Sequence, residues 1–449
     1  MRRDEYAILL VVVKQYPTFS DCDLGDGFPM NNSSWKLKLA CVWGGELVSV
    51  LTSSILQMGF VWHITLTTNS ASMLSLASLA GFLPLALFGT FAGAIVDRLP
   101  LKVTLIGADL FIAAVSAVVA AVSLTGALPV WVIMVALFVR AIGSSLHTPA
   151  FQALTPHLAP TEHLTRLAGV TQAVQSGGYI LGTAIAAVIY PLWGLTTMIA
   201  LDVAGALFAT VAVLAARLDV GGAVQGAAVG EKSLGLAAQV RALAAETADG
   251  YRVLRGYRGL FGLLWCGFVF TLVFSPISAL FPLMTLDHFG GTTGDAATAE
   301  IVFSMGMIVG SVLLTATGGF RNRAYTVCFA TALYGFATLV AGCAGPNAGG
   351  MQLFFVMSFL MGLSSPFYSG PQTALMQEKV PPEYLGRVFG LYGAIMSWAM
   401  PLGLGFSSLF ADAVGAPAWF FGAGAAMVLL ACVTWAIPSI RRIESAGVG

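Results

Sequence analysis

Three ionisable residues, Glu46, Asp109 and Arg140, stand inside long apolar stretches of the chain. A charge at the centre of a membrane-spanning helix costs about 3 kcal/mol unless it is paired or hydrated, so each of the three is a candidate functional group. Their sequence positions place Arg140 roughly 15 Å below one membrane surface and Glu46 about one helical turn shallower. The Glu46 and Arg140 side chains are therefore predicted to meet.

A carboxylate beside an arginine stays ionised, and it can take up a proton when its partner moves away or when an apolar ligand excludes water. The predicted Glu46–Arg140 pair is a candidate for proton coupling or for recognition of a cationic substrate, with a static structural pair as the alternative. Asp109 is a further candidate for this role, although a hydrogen bond between helices also explains it. Asp202 and Glu300 are expected at the membrane interface, because they stand near the ends of their apolar stretches.

The elements that position these residues are predicted to be membrane-spanning helices. Hydrophobic residues make up 57% of the 449 residues and charged residues 9%, whereas a soluble domain carries about 25% charged residues. A hydrocarbon core of about 30 Å requires roughly 20 apolar residues per helix. Twelve stretches meet this requirement: 39–62, 71–96, 103–124, 128–150, 167–190, 195–216, 259–286, 298–319, 325–343, 351–373, 388–412 and 418–438.

The Lys and Arg residues fall on one side of the membrane under this assignment. Of the 21 residues, all but Arg140 lie in the tails, the long middle segment or the even-numbered connections, and the odd-numbered connections hold none. Cytoplasmic segments carry such an excess. The tails and the middle segment are therefore predicted to be cytoplasmic.

The chain is predicted to divide into two six-helix halves, a linker and two tails. The predicted bounds are 1–34 for the first tail, 35–216 and 259–438 for the halves, 217–258 for the linker and 439–449 for the last tail. The second part of the linker has the pattern of an amphipathic surface helix. Residues 1–29 differ in composition from the rest, so they are either a disordered tail or lie upstream of a start at Met30.

Two stretches of the chain match at an offset of 221 residues. The matched pairs are Pro160/Pro381, Glu162/Glu383, Leu164/Leu385, Arg166/Arg387 and Gly169/Gly390. A parallel repeat of this kind indicates two halves related by an axis along the membrane normal, with a substrate site between them. The predicted fold class is an all-α membrane protein of 12 transmembrane helices in two pseudo-symmetric six-helix halves.

The connection after the second span resembles the G-x-x-x-D-R-x-G-R-K motif of major facilitator transporters. Gly93, Asp97, Arg98 and Lys102 match it, while the residues at positions 100 and 101 depart from it. The resemblance implies a gate at the cytoplasmic rim, in which an acidic and several basic residues hold helix ends together. The repeated residues Glu162, Arg166, Glu383 and Arg387 stand in the corresponding connections. The alternative is that Asp97 and Arg98 merely end a helix in water.

Most of the chain resembles one branch of that superfamily, the bacterial macrolide efflux proteins. The stretches that carry this resemblance include 35–38, 53–58, 76–84, 106–109, 147–150, 280–283, 366–370, 377–379 and 384–389. The resemblance implies a proton-driven exporter of lipophilic antibiotics in the bacterial plasma membrane. Two alternatives remain: an exporter of an endogenous compound such as a siderophore, and a membrane receptor that transports nothing. The repeat disfavours the receptor.

A bulky lipophilic substrate requires a deformable apolar wall and a few polar groups. Phe270, Phe274, Tyr392 and Met396 are candidates for the wall, although aromatic and Met residues in membrane helices mostly serve packing. Gln172 and Gln175 are candidates for polar groups of the cavity, because an amide without a partner is costly in lipid.

Several kinds of chemistry are not indicated by the sequence. It contains no G-x-x-x-x-G-K-[ST] phosphate loop, no metal-binding arrangement of its six cysteines, and no set of nucleophile, histidine and acid. No enzymatic activity, cofactor, metal or nucleic-acid partner is therefore expected. The expected partners are a lipophilic small molecule, protons and membrane lipids, and the chain is expected to act as a monomer.

Overall fold

The computed structural model describes residues 34–96, 99–126, 128–158, 164–216, 248–320 and 322–443. Within these ranges the architecture is helical, without a β-strand. The eleven long helices are α1 (Ser34–Thr68), α2 (Ala71–Val96), α3 (Leu101–Leu124), α4 (Val130–Leu158), α5 (Leu164–Ala215), α6 (Arg258–Leu283), α7 (Thr293–Thr317), α8 (Arg323–Gly342), α9 (Ala348–Lys379), α10 (Pro382–Val414) and α11 (Ala416–Ala436). All eleven contain a stretch long and apolar enough to cross a membrane.

Helix α5 contains two membrane crossings. Its 52 residues would extend about 78 Å as a straight helix, more than twice the hydrocarbon thickness of about 30 Å. The backbone breaks at Gly194, where φ is 73° and ψ is −179°. Gly178, before the break, packs against Val50 of α1, and Gly205, after it, packs against Thr52 of the same helix. The chain therefore reverses at Gly194, and the predicted fold of twelve crossing segments is confirmed.

The helices form two groups that meet along two lines of contact. In the first group α1 packs against α5, and α3 packs against α4 and α5; in the second, α8 packs against α9 and α11. Between the groups, α2 packs against α10 and α5 against α7. Helices from both halves therefore face a common central space.

Small residues bring some helices into backbone contact. A side chain at Gly306 of α7 would collide with the Phe359 carbonyl of α9, and a side chain at Gly362 of α9 would collide with the Phe303 carbonyl of α7. Such reciprocal glycines are typical of membrane helices, whose association depends on close packing because lipid is as apolar as the side chains. Helices α7 and α9 of the second half therefore pack backbone to backbone at these glycines.

Parts of the predicted organisation lie outside the described residues. Residues 1–33, which include the suggested start at Met30, and residues 217–247 of the linker are among them. Residues 248–256 are helical, and Gly250 packs against the backbone carbonyl of Arg387 in α10. The last part of the linker is thus attached to the second half, while the predicted bounds of the domains stay predictions.

Candidate functional site

A cavity of about 530 Å³ lies between the two halves. Its wall is largely apolar, with hydroxyl and amide groups and two charged residues at intervals. The polar and charged residues of its lining include Ser53, Gln57, Arg140, Gln175, Tyr179 and Glu300. They come from α1, α4 and α5 of the first half and from α7 of the second. A site shared by both halves is the arrangement that the internal repeat predicts.

Glu46, Asp109 and His147 meet in the first half, where Gln175 joins them; these four residues are named here the carboxylate–imidazole cluster. The His147 Nε2 atom lies 3.3 Å from Asp109 Oδ1 and 3.6 Å from Glu46 Oε2. The Gln175 Nε2 atom donates a hydrogen bond of 2.7 Å to Glu46 Oε1. Glu46 is 6% exposed and Asp109 4% exposed, so two acidic side chains share one imidazole in a space nearly closed to solvent.

Helices α1, α3, α4 and α5 each contribute one residue to this cluster. The His147 ring stacks on Phe151, one turn further along α4, with 6.1 Å between the ring centroids. The stack and the two carboxylates fix the ring on three sides. Because Gln175 also lines the cavity, the cluster is connected to the cavity through the amide that holds Glu46.

Arg140 pairs with Asp202 rather than with Glu46. The Arg140 guanidinium binds both carboxylate oxygens of Asp202, with the Nη2–Oδ1 distance 3.1 Å, and it also contacts the Ser116 hydroxyl. Ser116 and Ser53 donate hydrogen bonds of 2.7 and 2.9 Å to the same carboxylate. The predicted Glu46–Arg140 pair is therefore wrong for this conformation. Asp202 is 1% exposed and stands eight residues, or about 12 Å, beyond the turn at Gly194, so it lies deeper than the expected interfacial position.

The wrong pairing comes from where the two helices end. Helix α1 begins at Ser34 instead of residue 39, and α4 continues to Leu158 instead of ending at residue 150. From these ends Glu46 stands 12 residues and Arg140 18 residues along its helix, so Arg140 lies about 9 Å deeper than Glu46 instead of one turn. Measured from the opposite end, Arg140 stands ten residues after Val130 and Asp202 eight residues after Gly194. The two residues occupy nearly the same depth.

Glu300 lies in the cavity wall, which corrects its expected interfacial position. It stands in the second turn of α7, and its Oε2 atom accepts a hydrogen bond of 3.4 Å from the Tyr179 hydroxyl of α5. This contact joins the two halves across the cavity. The sequence does not indicate this position, because the eighth span begins earlier than the hydropathy pattern predicts, at Thr293 instead of residue 298.

The predicted apolar wall residues pack within the second half. Phe270 stacks on Tyr368 at 4.2 Å between centroids, and Phe274 stacks on Phe270 at 6.2 Å. The Tyr392 hydroxyl donates to Gln372 at 3.4 Å. None of the three predicted aromatic residues is among the residues that line the cavity in the described part of the chain. Their substrate role stays a prediction.

The other two predicted cavity residues, Met396 and Gln172, are also absent from the cavity lining in the described part of the chain. The Met396 sulfur accepts a hydrogen bond of 3.7 Å from Thr271, so Met396 also packs within the second half. Gln172 is exposed, and its amide donates to Ser176 at 3.2 Å. Gln175 is thus the member of the predicted set that the structure brings to both the cavity and the cluster.

One end of the bundle, which we name the basic rim, carries Lys102, Arg323, Lys379 and Arg387. Of the predicted gate residues, Asp97, Arg98 and Glu162 lie outside the described residues. Gly93, Arg166 and Glu383 lie in the helices α2, α5 and α10, but the surroundings of these three residues are not described. Lys102 is half-buried at the start of α3.

Arg387, a predicted gate residue, contacts the linker. Its Nη1 atom lies 3.8 Å from Asp249 Oδ2, and its guanidinium lies 5.8 Å from the centre of the Tyr384 ring. Nearby, Arg323 and Lys379 both pair with Glu378. Arg387 therefore connects residues 248–256 to α10, and its role in a gate between the halves stays a prediction.

At the opposite end, a set of hydrogen bonds joins the two halves. This polar latch consists of Asn69, Ser70 and Ser72 of the first half and Asp287 and Asp412 of the second. Asn69 Nδ2 donates to Asp287 Oδ1 at 2.7 Å, Ser70 Oγ donates to Asp412 Oδ2 at 2.7 Å, and the Ser72 backbone N–H donates to Asp412 Oδ1 at 3.0 Å. Just inside the latch, the buried Ser75 and Ser407 hydroxyls lie 2.9 Å apart. The halves are closed at this end.

Changing Asp412 to Asn should loosen the latch. A hydrogen bond to a charged group contributes about 1.5–3 kcal/mol, and exposure to water reduces that figure, so we expect the ratio of closed to open molecules to fall severalfold. Maleimide labelling of a Ser75→Cys substitution, in a background without other cysteines, reports opening because Ser75 is 0% exposed when the latch is closed. Labelling should accelerate with Asp412→Asn.

The matched control for the latch is Asp295→Asn. Asp295 stands at the same end but caps α7 through Thr292 instead of joining the halves. This control should leave the labelling rate of the thiol introduced at position 75 near that of the parent protein. Equal rates for the Asp412 variant and the parent would show that the latch does not hold the halves closed.

Comparison with known proteins gives consistent results. A family model described as Major Facilitator Superfamily matches residues 42–341. The chain is 43% identical to Macrolide efflux protein A of Streptococcus pyogenes over 412 residues, which cover 92% of this chain and 98% of that protein. It is 27% identical to Multidrug efflux pump Tap of Mycolicibacterium fortuitum over 402 residues, covering 88% and 94%.

Solved structures share the fold at low sequence identity. A POT family transporter in complex with 5-aminolevulinic acid has a TM-score of 0.64 at 12% identity and covers 89% of this chain and 95% of its own. A structure described as showing substrate recognition in proton dependent oligopeptide transporters has a TM-score of 0.62 at 14% identity and covers 91% and 100%. At such identity the likeness concerns the fold alone.

Proposed function

Because the chain belongs to the major facilitator superfamily, we propose that it is a proton-coupled exporter of lipophilic drugs, with macrolide antibiotics as its substrate class. The observation that carries this proposal is the 43% identity to a protein named Macrolide efflux protein A over 92% of the chain. The chain would act as a monomer in the bacterial plasma membrane, which its multiple crossing helices span.

The cavity supports a drug-sized substrate. Its volume of about 530 Å³ lies within the range of roughly 300–1,000 Å³ that is typical of small-molecule sites. An apolar wall with a few hydroxyl and amide groups binds lipophilic compounds largely through burial of apolar surface, and the polar groups fix their orientation. A ligand placed there contacts both halves, so its binding depends on how the halves are arranged.

The latch supports an alternating-access cycle. If the basic rim and both tails are cytoplasmic, as the Lys and Arg distribution favours, then the latch closes the outer face and the substrate enters from the cytoplasmic side. Export requires the latch hydrogen bonds to break and the basic rim to close around its charged residues. The described conformation would then be the one that loads substrate.

The carboxylate–imidazole cluster is the proposed proton site. One Nε2–H group donates well to only one of the two carboxylates that approach it, and a protonated imidazole compensates only one of their two charges. The cluster then keeps one negative charge inside the membrane, where charge is costly. Uptake of one further proton neutralises the cluster. We expect the cluster to bind or release this proton when the cavity changes the side of the membrane to which it opens.

Drug accumulation in cells tests this proposal. Bacteria that express the chain should hold several times less erythromycin than cells with an empty vector, because the exporter removes it. A protonophore should abolish the difference, since the proton gradient is the proposed energy source. Equal accumulation in both strains would contradict drug export, and a difference that survives the protonophore would contradict proton coupling.

A further inference from the structure

The central cavity contains one carboxylate that no described cation balances. The other charge in its wall, Arg140, is compensated by Asp202. Among the described residues, no Lys, Arg or His forms an ion pair with Glu300, and its hydrogen bond comes from the neutral Tyr179 hydroxyl. The wall of the cavity therefore has a net negative charge when Glu300 is ionised.

The surroundings of Glu300 make this imbalance costly. It stands seven residues into α7, or about 10 Å from the helix end near the latch. The wall of the same cavity includes the apolar side chains Met58, Val61 and Ala279. Few groups here can replace the solvation that an ionised carboxylate has in water.

We propose that Glu300, with Tyr179 beside it, is the specificity site of the cavity and selects substrates that carry a protonated amine. This inference rests on the proposed export function. The ammonium group of a lipophilic amine would pair with the Glu300 carboxylate, and the Tyr179 ring offers a cation a second favourable surface. A neutral compound of the same shape leaves the carboxylate without a counter-charge, so it binds more weakly.

This role is distinct from that of the carboxylate–imidazole cluster. Glu46 and Asp109 share a titratable imidazole within the first half, whereas Glu300 faces the cavity from the second half. The cluster exchanges protons, and Glu300 compensates the charge of the substrate. Because the Tyr179–Glu300 contact crosses between the halves, a bound amine also affects the contact between α5 and α7.

Binding of a matched pair of ligands to the purified protein tests the proposal. One ligand is erythromycin, whose dimethylamino group is protonated at neutral pH, and the other is its N-demethyl-N-acetyl derivative, whose amide nitrogen is not. The wild-type protein should bind the amine more tightly. Glu300→Gln should weaken binding of the amine by roughly 10- to 100-fold, the range for a hydrogen bond to a charged group, and leave the amide unchanged.

The matched control is Asp295→Asn, which also neutralises a carboxylate of α7 but lies outside the cavity lining, so it should retain the preference for the amine. If Glu300→Gln yields no folded protein, Glu300→Asp is the substitute, because it keeps the charge, shifts it by one methylene, and should weaken the amine selectively. Equal weakening of both ligands, or no change for either, would overturn the proposal. A preference for the amine without export of either compound would instead contradict the proposed function and leave the binding site intact.

Discussion

Replacing Glu46 with Gln is expected to abolish uphill export while leaving downhill exchange of substrate intact. Gln retains the shape of Glu46 and can still hydrogen-bond to Gln175, but it cannot bind or release a proton. A pH difference of about two units supplies about 2.8 kcal/mol per proton, which sustains a substrate gradient of roughly 100-fold at one proton per cycle. Exchange of one proton for a singly protonated amine moves no net charge, so the pH difference is the driving force. Without coupling, the gradient should fall to about 1.

Proteoliposomes separate the two activities. Uphill transport is measured as substrate accumulation against an imposed pH gradient and potential, and downhill exchange as counterflow of labelled substrate without either gradient. Asp295→Asn is the matched control, because Asp295 caps α7 and lies outside the carboxylate–imidazole cluster, the basic rim and the cavity lining. This control should perform both activities at the level of the parent protein.

Two results for the Glu46→Gln variant would contradict the prediction, and each would have a different meaning. Undiminished uphill transport would contradict a coupling role for Glu46. Loss of both uphill transport and counterflow would show that Glu46 is needed for structure or for substrate binding instead. His147→Gln should resemble Glu46→Gln, because removing the imidazole leaves both carboxylates of the cluster without their shared partner.

The sequence predicts the fold well because membrane insertion depends on hydropathy and length. The twelve apolar stretches correspond to the observed crossings, including the two that are continuous in α5. Hydropathy does not fix where a helix ends, since a polar helix continues beyond the lipid when its hydrogen bonds and packing allow. The five extra residues of α1 from Ser34 and the eight of α4 up to Leu158 are such cases. Depths counted from the predicted ends are therefore not accurate enough to pair Glu46 with Arg140.

Depth along a helix is also insufficient to identify partners. Arg140 and Asp202 share a depth, yet only the packing of α3, α4 and α5 shows that they face each other around Ser116. His147 is part of a stretch that carries the family resemblance, but no sequence pattern indicates that it lies between Glu46 and Asp109. The hydrogen-bonding side chains of the cluster come from four helices, and their directions depend on how those helices rotate against one another.

Three residues of the carboxylate–imidazole cluster have uncharged counterparts in the second half. The residues 221 positions after Glu46, His147 and Gln175 are Gly267, Tyr368 and Met396. These also meet: a Cβ atom at Gly267 would lie 3.0 Å from the Tyr368 hydroxyl and 3.1 Å from Met396 Cε. The second half thus keeps the geometry of the cluster with uncharged side chains. This arrangement favours proton exchange in the first half and an apolar, aromatic contribution from the second.

Replacing Arg140 with Met is expected to destabilise the protein severely. Asp202 would remain 1% exposed with only the Ser53 and Ser116 hydroxyls to hold its charge. Removal of one partner from a buried ion pair typically costs about 3–5 kcal/mol, because the other charge is left uncompensated. The apparent midpoint of thermal aggregation in detergent, measured for the purified protein, should fall by many degrees, or the protein should fail to accumulate in the membrane.

The double variant Arg140→Met with Asp202→Asn distinguishes a structural pair from a functional one. Removing both charges should restore most of the thermal midpoint, since a neutral pair of similar size leaves no buried charge. A double variant no more stable than the single would contradict the pairing, as would a single variant as stable as the parent. If the double variant is stable and still exports drug, Arg140 serves structure alone. If it is stable but inactive, the positive charge itself is required in the cavity wall, as the position of Arg140 among the lining residues suggests.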